Sequence, residues 1–243
     1  MKKIVLTSFF CFLMFLVFAQ EKNTHRIPMI GDPAPAFTAE TTNGNLNFPG
    51  DFGSSWKIIF SHPRDFTPVC SSELLALREM QRDFESRNVK ILVVSTDTKD
   101  RHAMWKHALE EIDPADSRDR AIRFPLVDDN SMTISRMYGM LHNKVSSTES
   151  VRGVFVIDPQ NKIQATFFYP MAIGRNMDEI FRSVEALQIA DERKMYTPAN
   201  WTRGGDLLVP YFPYTEAELA QDPGIENQFY QVGTLMWYKK ADR

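Results

Sequence analysis

The stretch "WKIIFSHPRDFTPVCSSELLALREM", residues 56–80, decides how the chain folds. It begins as a strand, because Trp56, Ile58, Ile59 and Phe60 are β-branched or aromatic and crowd into five positions. It ends as a helix, because Leu74, Leu77 and Met80, followed by Phe84, recur every three or four residues, as one face of a helix does. Thr67 suits the N-cap between them, and Pro68 suits the first helical position, where no backbone N–H is needed. A second apolar run, Val89–Ser95, follows the helix, so the unit reads β-α-β.

Further strands are expected at Phe124–Val127, Val154–Ile157 and Ile163–Tyr169, the last two joined by the turn residues 158–162 as an antiparallel hairpin. A second helix is expected over Arg101–Glu111. A third starts at Asn176, where Asn176 and Glu179 have capping-box spacing and Ile180, Val184 and Leu187 form a stripe. Strands alternating with helices predict an α/β sandwich with a mixed central sheet flanked by helices. The main domain spans residues 28–190. After Ala190 the texture changes to "TPANW", a Gly204-Gly205 pair, Pro210 and Pro213, which marks residues 191–243 as a C-terminal extension.

At the other end, Lys2 and Lys3 precede an apolar run from Ile4 to Ala19, with Val17 and Ala19 at the small-residue positions before a cut. Residues 1–19 therefore read as a signal peptide. The run falls short of the roughly 20 residues of a spanning helix. The expected product is exported, periplasmic or secreted, with no stable membrane association after cleavage. Cleavage removes Lys2, Lys3 and Cys11, so 26 basic residues face 31 acidic ones and the formal charge moves from −3 to −5. With no dense basic run left, nucleic acid and anionic membrane surfaces are poor partners.

Cys70 is then the one cysteine of the processed chain, in a compartment where cysteines usually pair. It falls in the first turn of a helix, beside unpaired backbone N–H groups and the positive end of the helix dipole, which favour a thiolate over a thiol. It also lies past the carboxyl end of a strand, where α/β sheets place their sites. Two thiol chemistries fit: attack on carbonyls or disulfides, and attack on peroxides. A disulfide oxidoreductase would carry a second cysteine at position 73, which is Glu73. His102 and His107 are five apart, the wrong spacing for ligands on one helical face, so no metal is expected.

The string "FSHPRDFTPVCSSEL" (residues 60–74) resembles the signature of the peroxiredoxins, and of their one-cysteine branch in particular. The likeness extends through "GDPAPAFTAETTNG", "NVKILVVSTD", "FPLVDD", "GMLHNKVSSTESVRGVFVIDP" and "FYPMAIGRNMDEI" to "TPANW". It implies a thioredoxin-like sandwich and a thiol-dependent peroxidase that reduces hydrogen peroxide and organic hydroperoxides and needs no cofactor. Cys70 would be the peroxidatic nucleophile, Thr67 a hydroxyl bonding peroxide and thiolate, Pro63 a shield of the pocket, and Arg152 the arginine that favours the thiolate and binds peroxide oxygens. His62, Glu73 and Arg175 match supporting positions. A sulfenic acid at Cys70 would be reduced by an external thiol, because no resolving cysteine exists, and a homodimer is implied. The rival reading is a redox sensor that forms a stoichiometric mixed disulfide. A lipase-like activity, present in some of this branch, would need Gly-x-Ser-x-Gly, but "GSSWK" ends in Lys57.

Overall fold

In the computed structural model, which describes residues 27–112 and 119–241, a seven-stranded mixed sheet has the order β2-β1-β5-β4-β3-β6-β7. Its strands are β1 (Phe37–Thr41), β2 (Gly44–Phe48), β3 (Trp56–Ser61), β4 (Val89–Ser95), β5 (Leu126–Asp128), β6 (Arg152–Ile157) and β7 (Ile163–Tyr169). β3, β4 and β5 run parallel, and β6 lies antiparallel beside β3. The helices are α1 (Pro68–Ser86), α2 (Lys99–Glu110), α3 (Thr133–Met137), α4 (Met177–Arg193) and, in the extension, α5 (Glu216–Gln221).

Alternation along β3 divides the core. Ile58 and Phe60 meet Leu74 and Leu77 of α1, Trp105 and Leu109 of α2, and Ile180 and Val184 of α4. Ile59 turns to the other face, where Phe37, Phe48, Ile134, Tyr138 and Phe155 gather. β3 is buried along its whole length, as a central strand with both faces covered must be.

The β-α-β unit, the β6–β7 hairpin and the helix capped at Asn176 form as the sequence predicts, with the Asn176 side chain accepting the Glu179 N–H at 3.0 Å. β5 starts two residues later than expected. Pro125 has no N–H for a ladder, and only its carbonyl serves, accepting from Val93 N–H at 3.1 Å. The β1–β2 hairpin was not anticipated. Its signal is Asn43-Gly44, with Gly44 at φ +101°, between the buried Phe37, Leu46 and Phe48.

"GSSWK" sits on a turn entering β3 at the strand end remote from Cys70, with Ser55 Oγ donating to Asn88 and Lys57 Nζ donating to Asn161 at 2.6 Å. A turn that leads into a strand cannot serve as a strand-to-helix nucleophile elbow. The extension forms a second sheet, ordered β8 (Leu207–Val209), β10 (Met236–Lys239), β9 (Phe229–Val232). Buried Trp201 joins it to α4, packing with Ala186 and Leu207 while its carbonyl accepts from Arg182 at 2.8 Å. Residues 1–19 lie outside the described residues. Among the described residues no helix is long and apolar enough to cross a membrane.

Candidate active site

The site begins where β3 stops. His62 N–H still donates to Val94 O at 3.1 Å, and the His62 carbonyl accepts from Ser150 Oγ at 2.8 Å, so the chain leaves the sheet from a fixed point. Buried Pro63 and exposed Arg64 follow, and Phe66 takes a left-handed φ of +60°. Thr67 is the N-cap residue by its extended backbone, but its hydroxyl caps no amide and instead donates to Arg64 O at 3.0 Å. The first helical bond is Ser71 N–H to Thr67 O at 2.9 Å, which leaves the preceding amides of Val69 and Cys70 outside the intrahelical ladder. Cys70 is fully buried in this first turn.

Arg152, the first residue of β6, reaches across from the neighbouring strand and places Nη1 3.3 Å from Cys70 Sγ. The same Nη1 donates to Glu73 Oε2 at 2.8 Å, while Nε and Nη2 donate to Met171 O at 3.0 and 2.6 Å. Glu73, one helical turn beyond Cys70, also accepts from Arg175 N, Nε and Nη2 at 2.8, 2.9 and 2.7 Å. Burial alone would raise the Glu73 carboxyl, but the hydrogen bonds and charge of Arg175, with Arg152 behind them, hold it below the usual carboxylate range. One carboxylate against two guanidiniums leaves one positive charge beside the sulfur.

The backbone around Arg152 is fixed by Ser61, whose buried hydroxyl donates to Val151 O at 2.6 Å and accepts from Gly153 N–H at 2.8 Å. Gly153 gives this approach room, since a Cβ there would lie 3.1 Å from Ser61 Oγ and 3.3 Å from the Phe168 ring. Arg175 Nη1 adds bonds to Ser61 O and Gly153 O at 2.8 and 2.9 Å, and its guanidinium stands 5.2 Å from the centroid of the Phe60 ring.

A second buried chain lies on the other side of the turn. His62 Nε2 lies 2.8 Å from Asp65 Oδ1, His102 Nδ1 lies 2.8 Å from Asp65 Oδ2, and His102 Nε2 lies 3.0 Å from Val127 O, each within hydrogen-bonding distance. Burial pushes the His62 pKa below the ordinary histidine range against the opposing pull of Asp65. Burial would raise Asp65, but the bonds from His102 and His62 outweigh it and hold the carboxyl low. These three side chains are also close enough to bracket a cation. The two separate carboxylate oxygens at hydrogen-bonding distance from one ring each are explained by protons alone.

The structure thus brings Cys70, Arg152, Glu73 and Arg175 into direct contact, with Thr67 and Pro63 on the turn above. His62 lies beside them in the second chain. Phe60 is core, whereas Phe66 is 49% exposed under the Arg101 guanidinium, 5.3 Å from its ring centroid. His102 is buried at the site and His107 is exposed near Glu111. Sequence reasoning missed Asp65, Ser61, Met171 and His102. Only His102 carried a signal, sharing a helical face with Trp105 and Leu109.

Residues 30–166 match the family model described as the AhpC/TSA family. A peroxiredoxin of Methanosarcina mazei is 44% identical over 185 residues, covering 76% of this chain and 84% of that protein. A 1-Cys peroxiredoxin of Dictyostelium discoideum is 36% identical over 180 residues, 74% of this chain and 73% of its own length. Among solved structures, the yeast mitochondrial 1-Cys peroxiredoxin superposes with a TM-score of 0.77 at 33% identity, covering 88% of this chain and all of that one. With one cysteine beneath an arginine at the start of a helix, and relatives of this kind across most of its length, the chain belongs to the AhpC/TSA family as a 1-Cys peroxiredoxin, a thiol-dependent peroxidase.

Proposed function

We propose that Cys70 is the peroxidatic thiolate and that Arg152, Thr67 and Pro63 build its peroxide pocket, with Glu73 and Arg175 holding Arg152 in place. The observation that carries this is the single Arg152 Nη1 shared between Cys70 Sγ at 3.3 Å and Glu73 at 2.8 Å. The thiolate attacks one peroxide oxygen in line with the O–O bond. An S–O bond forms as the O–O bond breaks, and the departing oxygen leaves as alkoxide or hydroxide and takes a proton from solvent. Arg152 and the first-turn amides lie where negative charge passes from sulfur to oxygen. The Thr67 hydroxyl, bonded to Arg64 O at rest, must rotate to donate to peroxide. Hydrogen peroxide and organic hydroperoxides are the proposed substrates.

The cycle closes with two equivalents of an external thiol: the first displaces water from the sulfenic acid to form a mixed disulfide, and the second releases Cys70. The yeast relative is resolved by the glutathione and thioredoxin systems, which supports a reductant of that chemical class here. A homodimer, and export after loss of residues 1–19, complete the proposal. Intact-mass spectrometry of the reduced protein after one equivalent of peroxide tests it. The expected result is a rapid gain of one oxygen on Cys70, reversed by excess small thiol and absent in Cys70→Ser. A thiol unmodified after minutes overturns it, and oxidation without catalytic turnover in excess thiol gives the sensor reading instead.

A further inference from the structure

Phe66 presents a problem that the peroxide pocket does not explain. A bulky aromatic residue at φ +60° is strained and persists only where its surroundings over-determine the turn. Its own side chain is half exposed, so the constraint comes from elsewhere. Asp65, the residue before it, supplies that constraint. Its N–H donates to Asp97 Oδ2 at 2.7 Å, and its two carboxylate oxygens take His62 and His102 at 2.8 Å each. The partners lie on separate elements: His62 follows β3, and His102 is in α2 and is itself anchored to β5 through Val127 O at 3.0 Å. Trp105, one turn beyond His102, stacks 5.0 Å from the His62 ring and donates from Nε1 to Ser71 Oγ at 3.2 Å, beside Cys70.

We propose that Asp65 and His102 are positioning residues for peroxide reduction: the buried chain His62–Asp65–His102 holds the strained Phe66 turn so that Thr67 and Cys70 stay aligned with Arg152. The inference rests on Cys70 being the peroxidatic thiol. Arg152 is also fixed from outside the Cys70 helix, by two bonds to Met171 O, so a shift of the turn that carries Cys70 with it moves the sulfur relative to the arginine. An in-line displacement on an O–O bond is sensitive to such a shift, whereas alkylation of the sulfur by a small reagent needs little more than its nucleophilicity.

The pairing supplies a sharp test. Three oxygens, Asp65 Oδ1, Asp65 Oδ2 and Val127 O, face three ring nitrogens. In Asp65→Asn the amide oxygen accepts from His62 Nε2, the amide N–H donates to His102 Nδ1, and His102 Nε2 keeps its proton for Val127. Every partner is retained while the carboxylate charge is removed. A residue that acts by holding the turn is rescued by asparagine, and one that acts through its charge is not.

The experiment compares wild type, Asp65→Ala, Asp65→Asn and His102→Leu. It measures Cys70 oxidation by hydrogen peroxide, followed by quenched-flow mass spectrometry, and Cys70 alkylation by iodoacetamide. Asp65→Ala and His102→Leu are expected to lose about 10- to 100-fold in the peroxide rate while alkylation changes less than about threefold, and Asp65→Asn to recover to within about threefold of wild type. The proposal is overturned by a wild-type peroxide rate in His102→Leu, by equal loss of both reactions, or by an Asp65→Asn as slow as Asp65→Ala. If the truncations do not fold, His102→Asn, which keeps a donor for Asp65 and gives up Val127, is expected to oxidise roughly threefold to tenfold slower. A wild-type rate there also overturns the proposal. A wild type that gains no oxygen on Cys70 removes the peroxidase reading itself.

Discussion

Two buried carboxylates flank Cys70, Asp65 on the turn before it and Glu73 on the helix after it, and each is gripped by two basic side chains. The grips differ in kind. Glu73 is held by arginines, whose charge survives any working pH, so that cluster keeps a positive excess beside the sulfur. Asp65 is held by two histidines, one on each of its carboxylate oxygens. One acid organises charge around the thiol, while the other organises the shape of the loop that presents it.

Removing the charge is expected to have the largest effect on chemistry. Arg152→Ala takes away the donor to Cys70 Sγ and is expected to slow oxidation by peroxide about 10²- to 10³-fold in rapid-mixing kinetics. A rate within threefold of wild type breaks the assignment of charge to this side of the turn. Glu73→Gln comes next and acts on stability. It leaves two buried guanidiniums facing one neutral amide, with an expected loss of about 3–5 kcal/mol in denaturant unfolding at pH 7. Because the folded Glu73 carboxyl is held low, the unfolded chain takes up a proton near the ordinary glutamate range that the folded chain refuses. The contribution of Glu73 is therefore complete above about pH 4.3 and lost as pH falls through the folded value. Unfolding of Glu73→Gln should depend less on pH than wild type over that acid range.

The histidine side should respond at higher pH and more gently. Burial lowers the His62 pKa, so the unfolded chain binds a proton near pH 6.5 that the folded chain does not, and stability declines as pH drops below about 6.5. Replacement by glutamine should flatten the decline between pH 6.5 and 5 in denaturant midpoints. An unchanged slope would place the titrating group elsewhere. The smallest effect on chemistry is expected from Trp201→Ala, which strips the anchor between α4 and the extension. About 3–5 kcal/mol of local packing is at stake there, with the initial Cys70 oxidation rate unchanged within about twofold. A slowed oxidation would tie the extension to the pocket.

The sequence exposed much of this arrangement because its strongest signals are local. Trp56–Phe60, the Leu74–Leu77 stripe and the Thr67-Pro68 helix start lie within one β-α passage, and the signature string carried Cys70, Thr67 and Pro63 with it. The β1–β2 hairpin was harder to read, since its two short strands alternate and their one clear mark is Asn43-Gly44. Ser61 and Met171 were invisible for a different reason. Each acts through a hydrogen bond to a residue far along the chain, Ser61 to Val151 and Met171 to Arg152, and no spacing rule reports such a meeting.

What the sequence determined by itself was a cysteine at the start of a helix, in an α/β frame with no other cysteine from residue 12 onward. That follows from local propensity, because helix starts, strand runs and cysteine counts are properties of neighbouring residues. Only the tertiary structure decided that Arg152, 82 residues downstream, stands 3.3 Å from the sulfur, and that a histidine set aside for its spacing to His107 is instead paired with Asp65. The physical reason is burial. Closing β6 against β3 and α2 against the turn removes water from six ionisable groups, Glu73, Arg152, Arg175, His62, Asp65 and His102. Once water is gone, each must find its partner within hydrogen-bonding distance, wherever in the chain that partner lies.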